Sequence, residues 1–235
     1  MDSTKRFTAT FVSLFPDFFQ QLSEISIVGR ALKSGLVAVQ CEQIRDHAHD
    51  KHKRVDDTPY GGGPGQLMRV DVVAEAIRCA RAKSGAATDR QRVVLVDPKG
   101  PLFCSQSAQR LASYDEVIFV CGRYEGIDAR ILYYVDESVS VGDFILTGGE
   151  LAAMLIFDAT VRFVPGVLGN SESSQSESFA HNLLEHHQYT RPEEFEGRRV
   201  PDILLSGHHL NIAKAREAEQ IAITSKIRPD LLKKK

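Results

Sequence analysis

The stretch from Glu116 to Glu150 leaves this chain little choice of fold. Glu116–Val120 (EVIFV) is a clean apolar strand that runs directly into Cys121-Gly122. Five glycines follow before Glu150, gathered at the two ends as GRYEGID from Gly122 and VGDFILTGGE from Val141. Glycine straight after a buried strand means that the backbone turns sharply or approaches something bulky. In an open α/β sheet the carboxyl ends of strands are where ligands sit. On spacing alone, two ordinary tight turns are the alternative.

The flanking sequence supplies the rest of such a sheet. Phe7–Phe15 (FTATFVSLF) is β-branched and aromatic enough for a first strand closed by Pro16, with a helix from Asp17 to Ser23. Gly35–Gln40 reads as a second strand. Val70, Val73, Ala74, Ile77 and Ala80 share one face of a helix predicted over Leu67–Lys83. Val93–Val96 is short and wholly apolar, as a central parallel strand would be. It turns at Asp97-Pro98-Lys99-Gly100 into a short helix N-capped by Ser105 and running through Ser113. A helix from Glu150 to Phe163 points Leu151, Met154, Leu155 and Val161 toward a core and stops at Pro165-Gly166. Alternating strands and helices at this spacing imply an α/β layer structure with a parallel sheet. Leu168–Ser178 (LGNSESSQSES) is serine-rich and polar, which places a boundary there. A last helix is expected from about Asn211 to Lys226.

Composition removes several classes of function. At 235 residues with 43% hydrophobic and 26% charged residues, the chain fits one large or two modest soluble domains. A formal net charge of −2 provides no global basic field, so nucleic-acid contact would come from local patches. Cys41, Cys79, Cys104 and Cys121 lack CxxC spacing and read as reduced, mostly buried thiols of a cytoplasmic protein. No segment approaches the length of a membrane span. His47, His49 and His52 match no zinc spacing, and no cysteine lies close in sequence to complete a site, so no metal is expected. Gly61–Met68 (GGGPGQLM) lacks the Lys-Ser/Thr of a phosphate loop and reads as a close-approach loop without an assigned cargo.

GRYEGID, SVGDFILTGGE and the upstream DDTPYGGGPG closely resemble the signatures of the bacterial tRNA (guanine-N1)-methyltransferase family, and the similarity runs through nearly the whole chain. The resemblance implies a SPOUT-type parallel α/β sheet with a C-terminal deep trefoil knot, over residues 1–163. A flexible linker over 164–178 and a small, mainly helical tRNA-binding domain over 179–235 complete the expectation. It implies S-adenosylmethionine held by three loops, Leu95–Pro98, Gly122–Gly126 and Ser140–Gly149. The residues assigned to it are Leu95, Val96, Asp97, Pro98, Gly122, Tyr124, Glu125, Gly126, Ser140, Val141, Gly142, Asp143, Phe144, Ile145, Leu146, Gly148 and Gly149. Asp97 stands where relatives carry serine, and Gln66 where methionine is usual.

The implied reaction methylates N1 of the guanosine at position 37, beside the anticodon. N1 carries a proton at neutral pH, so a general base must take it. The resemblance assigns that base to Glu177, where the family uses aspartate, and places Arg162 near the guanine O6 as negative charge develops there. Magnesium is compatible with this chemistry, but no motif encodes a site for it. Arg191, Arg198, Arg199, Lys214 and Arg216 become candidates for phosphate contact with the anticodon arm. The resemblance also implies an obligate homodimer with shared active sites. Rival readings are a SPOUT enzyme acting on a ribose 2′-OH or another base, and an RNA-binding protein that kept the fold without catalysis.

Overall fold

The computed structural model describes residues 6–24, 26–169 and 177–233. The chain divides into two compact units, Met1–Gly169 and Asn170–Lys235. The expected linker is therefore described only in part, since 170–176 lie outside the described residues, as do Lys234 and Lys235.

The first unit is built on five strands: β1 (Phe7–Ser13), β2 (Val37–Gln43), β5 (Gln91–Val96), β6 (Glu116–Cys121) and β7 (Glu137–Val139). Their order is β2-β1-β6-β5-β7 and every pairing is parallel. Parallel neighbours need crossovers. These include α1 (Ser26–Lys33), α2 (Val70–Lys83) and α3 (Ser105–Leu111), while α4 (Glu150–Val161) follows β7. Side chains alternate across β6 into two cores. Val117, Phe119 and Cys121 join Phe11, Phe19, Ile156 and Phe157, while Ile118 and Val120 join Val73 and Ile77 of α2. That double burial is why EVIFV shows no polar alternation. Phe11 centres the first core, stacked on Phe19 with centroids 4.0 Å apart and meeting Phe157 edge-on at 5.7 Å.

Several boundaries differ from the sequence reading. The first strand stops at Ser13, whose Oγ takes the Phe15 amide, and Phe15 is left half-exposed. The segment Pro16–Glu24 is 3₁₀ rather than α. The second strand begins at Val37 because Gly35 ends α1 at φ +77°, and it runs on to Gln43. Leu67–Met68 is not helical. It forms a two-residue strand, β4, antiparallel to β3 (Asp56–Asp57), and Met68 gives its amide to the Gly126 carbonyl at 2.9 Å. Cys104, not Ser105, caps α3, which ends at Leu111. On α4 the core side is Ala152, Ala153, Ile156, Phe157 and Val161. Leu151 and Leu155 are exposed at 53% and 50%. A helix that is apolar all round has no period from which to read its buried face. Of the cysteines only Cys121 is buried; Cys41 and Cys104 are exposed.

The histidine-rich run also resolves. His47 Nε2 lies 2.8 Å from Glu42 Oε1, and folding brings Cys79 of α2 beside both. Sequence distance had hidden that cysteine. Lys83 supplies the local cation, its ammonium 2.7 Å from Glu42 Oε2.

In the second unit, β8 (Glu194–Phe195) and β9 (Arg198–Arg199) form a short antiparallel hairpin. It is followed by α5 (Asp202–Leu205) and α6 (His209–Ile227).

The Glu42 cluster yields a pH prediction. Burial alone would raise the Glu42 carboxyl, but Lys83 and His47 outweigh it and hold the group below its ordinary 4.5. The unfolded chain therefore takes up the proton first. The stabilisation is complete above about pH 4.5 and fades as the pH falls through the folded value. Glu42→Gln should cost about 1–2 kcal/mol at pH 7, since Lys83 is largely solvated. In urea unfolding the gap from the parent should narrow progressively as the pH falls below about 4.5. A gap of constant size across that range would show that the carboxylate charge contributes nothing.

Candidate active site

Register sets the site. Val96 of β5 sits opposite Cys121 of β6 and Val139 of β7, so three consecutive neighbours end in one row. The loops leaving that row enclose a pocket of about 290 Å³.

The loop after β5 is closed by Asp97. Its Oδ1 accepts the Lys99 amide at 2.8 Å and its carbonyl accepts the Gly100 amide at 3.0 Å. The Asp97 carboxylate thus caps its own turn, as aspartate commonly does, while still lining the pocket. A Cβ on Gly100 would stand 2.5 Å from the Val139 amide nitrogen, so this turn touches the end of β7 through main chain.

The loop after β6 holds Tyr124 at φ +59°, a left-handed conformation that is sparsely populated for a bulky side chain. The tyrosine ring is left half-exposed at the pocket wall. This loop is stitched to the upstream glycine segment. Glu125 gives its amide to the Gln66 carbonyl at 3.0 Å, Asp128 gives its amide to the Met68 carbonyl at 3.1 Å, and a Cβ on Gly65 would collide with the Glu125 side chain.

The loop from Ser140 to Gly149 starts beside Leu102, with the Phe103 amide on the Ser140 carbonyl at 2.8 Å. Gly142 lies at φ +155°, and a Cβ there would enter the Phe144 ring. A Cβ on Gly148 would displace the Arg123 side chain. On Gly149 it would stand 2.9 Å from Cys121 Cα. Gly149 donates to the Gly122 carbonyl at 2.9 Å, pinning the start of α4 onto the end of β6.

All the loop residues named from sequence line this pocket except Asp143. Ile127, Val139 and Ala152 also line it and carry no sequence signal beyond being apolar. Arg123 and Thr147 fell inside the loops without an assigned role, and both face the pocket. Arg162 is the C-cap of α4, outside this lining, and Glu177 opens the described part of the second unit. That second unit has its own cavity of about 590 Å³, lined by His186, His187, Arg191 and Arg216 among others. Arg199 is tied to Glu193 at 2.7 Å.

Chemically, the pocket presents glycine backbone, apolar walls, carboxylates at Asp97 and Glu125, and the Arg123 guanidinium already paired with the buried Glu150. That arrangement suits a flat, partly apolar ligand bearing positive charge better than a phosphate.

The family model described as tRNA (Guanine-1)-methyltransferase TrmD matches residues 7–234 of the chain. The tRNA (guanine-N(1)-)-methyltransferase of Syntrophotalea carbinolica is 50% identical over 223 residues, covering 95% of this chain and 89% of the relative. The protein of the same name from Geobacter sulfurreducens is 49% identical over 224 residues, covering 95% and 90%. That of Clostridium botulinum is 47% identical over 223 residues, covering 95% and 90%.

The close approach at Gly149 is testable by stability alone. Gly149→Ala should lose about 1–3 kcal/mol in urea unfolding, because main-chain neighbours cannot step aside as a side chain could. Gly85→Ala, where nothing lies within 4 Å, should stay within about 0.5 kcal/mol of the parent. Equal effects would mean that the Gly122–Gly149 contact is not tight in solution.

Proposed function

The chain belongs to the tRNA (guanine-1)-methyltransferase family, and from that premise we propose that it methylates N1 of guanosine 37 in tRNA, with S-adenosylmethionine in the pocket at the ends of β5, β6 and β7. The observation that carries this is the cradle itself. A side chain at Gly149 would collide with the main chain of Cys121 and Gly122, at Gly142 with the Phe144 ring and at Gly148 with Arg123, so the loops are closely packed where they line the pocket. A sulfonium with an adenine ring calls for that close approach and for acceptors rather than an anion nest. Asp97 and Glu125 supply negative potential at the wall. Bound there, the sulfonium provides the methyl group. Phe144, Ile145 and Leu146, partly to largely exposed, are apolar walls for the adenine.

In this reading the chain's own acid–base work falls to two residues. Glu177 accepts the N1 proton, and Arg162 faces the negative charge that grows on O6 as the proton leaves. Glutamate in place of the family's aspartate moves the carboxylate by about one carbon–carbon bond, roughly 1.5 Å, which a site assembled around its substrate can absorb. Magnesium is a candidate aid to the proton step. The second unit takes the anticodon arm, with Arg191, Arg198, Lys214 and Arg216 as its phosphate contacts and Arg199 held in reserve by Glu193. Residues 1–163 form the cofactor domain, 164–178 the linker and 179–235 the tRNA domain of a cytoplasmic enzyme. In this reading the family's trefoil knot lies among the converging loops. Its support is the segment Pro101–Phe103 lying across Ser140, with amides exchanged at 2.9 and 2.8 Å.

We further propose a homodimer. Leu151 and Leu155, four residues apart on one side of α4, are half-exposed although the opposite face is fully buried. This half-exposed apolar stripe supports a second copy of the chain as its cover.

Light scattering should report about twice 26.1 kDa at micromolar concentration. Leu155→Glu should shift the species toward monomer and remove methylation; a monomer that still methylates tRNA would overturn the shared site. The reaction itself is tested by single-turnover transfer of labelled methyl from S-adenosylmethionine to a tRNA transcript with guanosine or adenosine at position 37. Only the first should react. Glu177→Gln should slow it by about 10²–10⁴-fold with donor affinity intact, while Glu177→Asp keeps substantial rate. A Glu177→Gln variant as fast as the parent would place the base elsewhere.

A further inference from the structure

One group of side chains at the pocket has no part in the chemistry just described. Glu150 opens α4 and is 1% exposed. Its Oε1 accepts from Ser13 Oγ at 2.7 Å, and that oxygen accepts the Phe15 amide at 2.9 Å. Its Oε2 faces Arg123 Nη2 at 2.9 Å. Arg123 Nη1 donates to the Thr147 carbonyl at 3.1 Å, and the guanidinium lies 4.5 Å from the centre of the Phe15 ring. The contacts close on themselves: Phe15, Ser13, Glu150, Arg123 and Phe15 again. They join the end of β1, the loop after β6 and the loop before α4.

As a stabilising device this circuit is poorly made. Glu150 Oε2 and Arg123 Nε are buried without an aligned hydrogen bond among the described residues. A buried ion pair with unused polar capacity is no better than apolar packing for stability, although removing one partner alone is costly. What the circuit does accomplish is geometric. The arginine runs through the space that the missing side chain of Gly148 leaves. Its planar fork meets two acceptors at once, a carboxylate and a loop carbonyl, which lysine could not do.

We propose that Arg123 and Glu150 are a positioning pair that holds the Thr147–Gly149 segment at a set distance from Gly122, and so fixes the width of the methyl-donor pocket. The inference rests on the reading of that pocket as the donor site. Glu150 anchors the arginine, and the arginine holds the Thr147 carbonyl; the pair acts on the donor through the loop.

The test uses the full chain with Arg123→Lys, Glu150→Gln and the double variant Arg123→Met/Glu150→Gln. Thermal midpoint, S-adenosylmethionine affinity by calorimetry, and KM for the donor against kcat with tRNA are compared. Glu150→Gln should lower the midpoint and weaken donor binding by about 10- to 100-fold, the loss falling on KM more than on kcat. Arg123→Lys should retain most of the midpoint but bind donor about tenfold more weakly, because the fork is lost. The double variant should regain midpoint, having no unpaired buried charge, yet remain weak for donor because nothing holds Thr147. Affinity that returns with the midpoint, or a loss confined to kcat, would overturn the positioning role. A parent that binds donor while all three variants bind equally well defeats this inference alone. A parent that binds no donor defeats the pocket reading and this inference together.

Discussion

The site depends on the in-register parallel pairing of β5, β6 and β7. Because Val96, Cys121 and Val139 stand abreast, three loops leave the sheet at one level and face one another across a strand's width. A slip of one residue in any of the three would turn its side chains to the other face and withdraw its loop from the pocket. The two cores hold that register. Phe119 and Cys121 are locked on one side of β6, Ile118 and Val120 on the other. Burial on both faces is thus what the pocket stands on, and it is also what makes the strand so plain in the sequence.

What the sequence discloses follows the range of each interaction. The parallel sheet is legible because strand burial is written locally, in EVIFV and VVLV. The glycine loops are legible because a main-chain requirement selects one residue type. Arg123 is different. Its value comes from Glu150 and Phe15, which are 27 and 108 positions away, and an arginine inside a glycine motif gives no hint of either. The exposure of Leu151 and Leu155 is silent for another reason, since a helix apolar on all sides marks no inside. Cys79 beside His47 and Glu42 shows the same limit, because spacing rules see only neighbours in sequence. Leu67-Met68 failed as a helix start because the amide and carbonyl of Met68 are spent on Gly126 and Asp128 while Leu67 pairs with Asp57 across the β3–β4 ladder, a tertiary demand that outweighs helical periodicity.

The stitching of Gln66 and Met68 to Glu125, Gly126 and Asp128 ties the upstream glycine loop to the pocket wall. Four of its glycines, Gly61, Gly62, Gly63 and Gly65, have positive φ, and around the first three a side chain would meet nothing. Their conformation, rather than crowding, excludes other residues there. Only Gly65 is a true close approach, against Glu125. The loop is therefore anchored at its carboxyl end and open along its length.

The pocket's walls where glycine is required are main chain, and this bears on how the site can change under selection. A side-chain contact is lost by one substitution, but a peptide group has no allele. A competing molecule that drew its affinity from the amides and carbonyls of these three loops would leave the organism few escape routes. Moving the walls means replacing Gly142, Gly148 or Gly149, and at Gly149 the replacement meets main chain that cannot step aside. Resistance would have to arise at the exposed apolar rim, at Phe144 or Ile145, or in the amount of enzyme made.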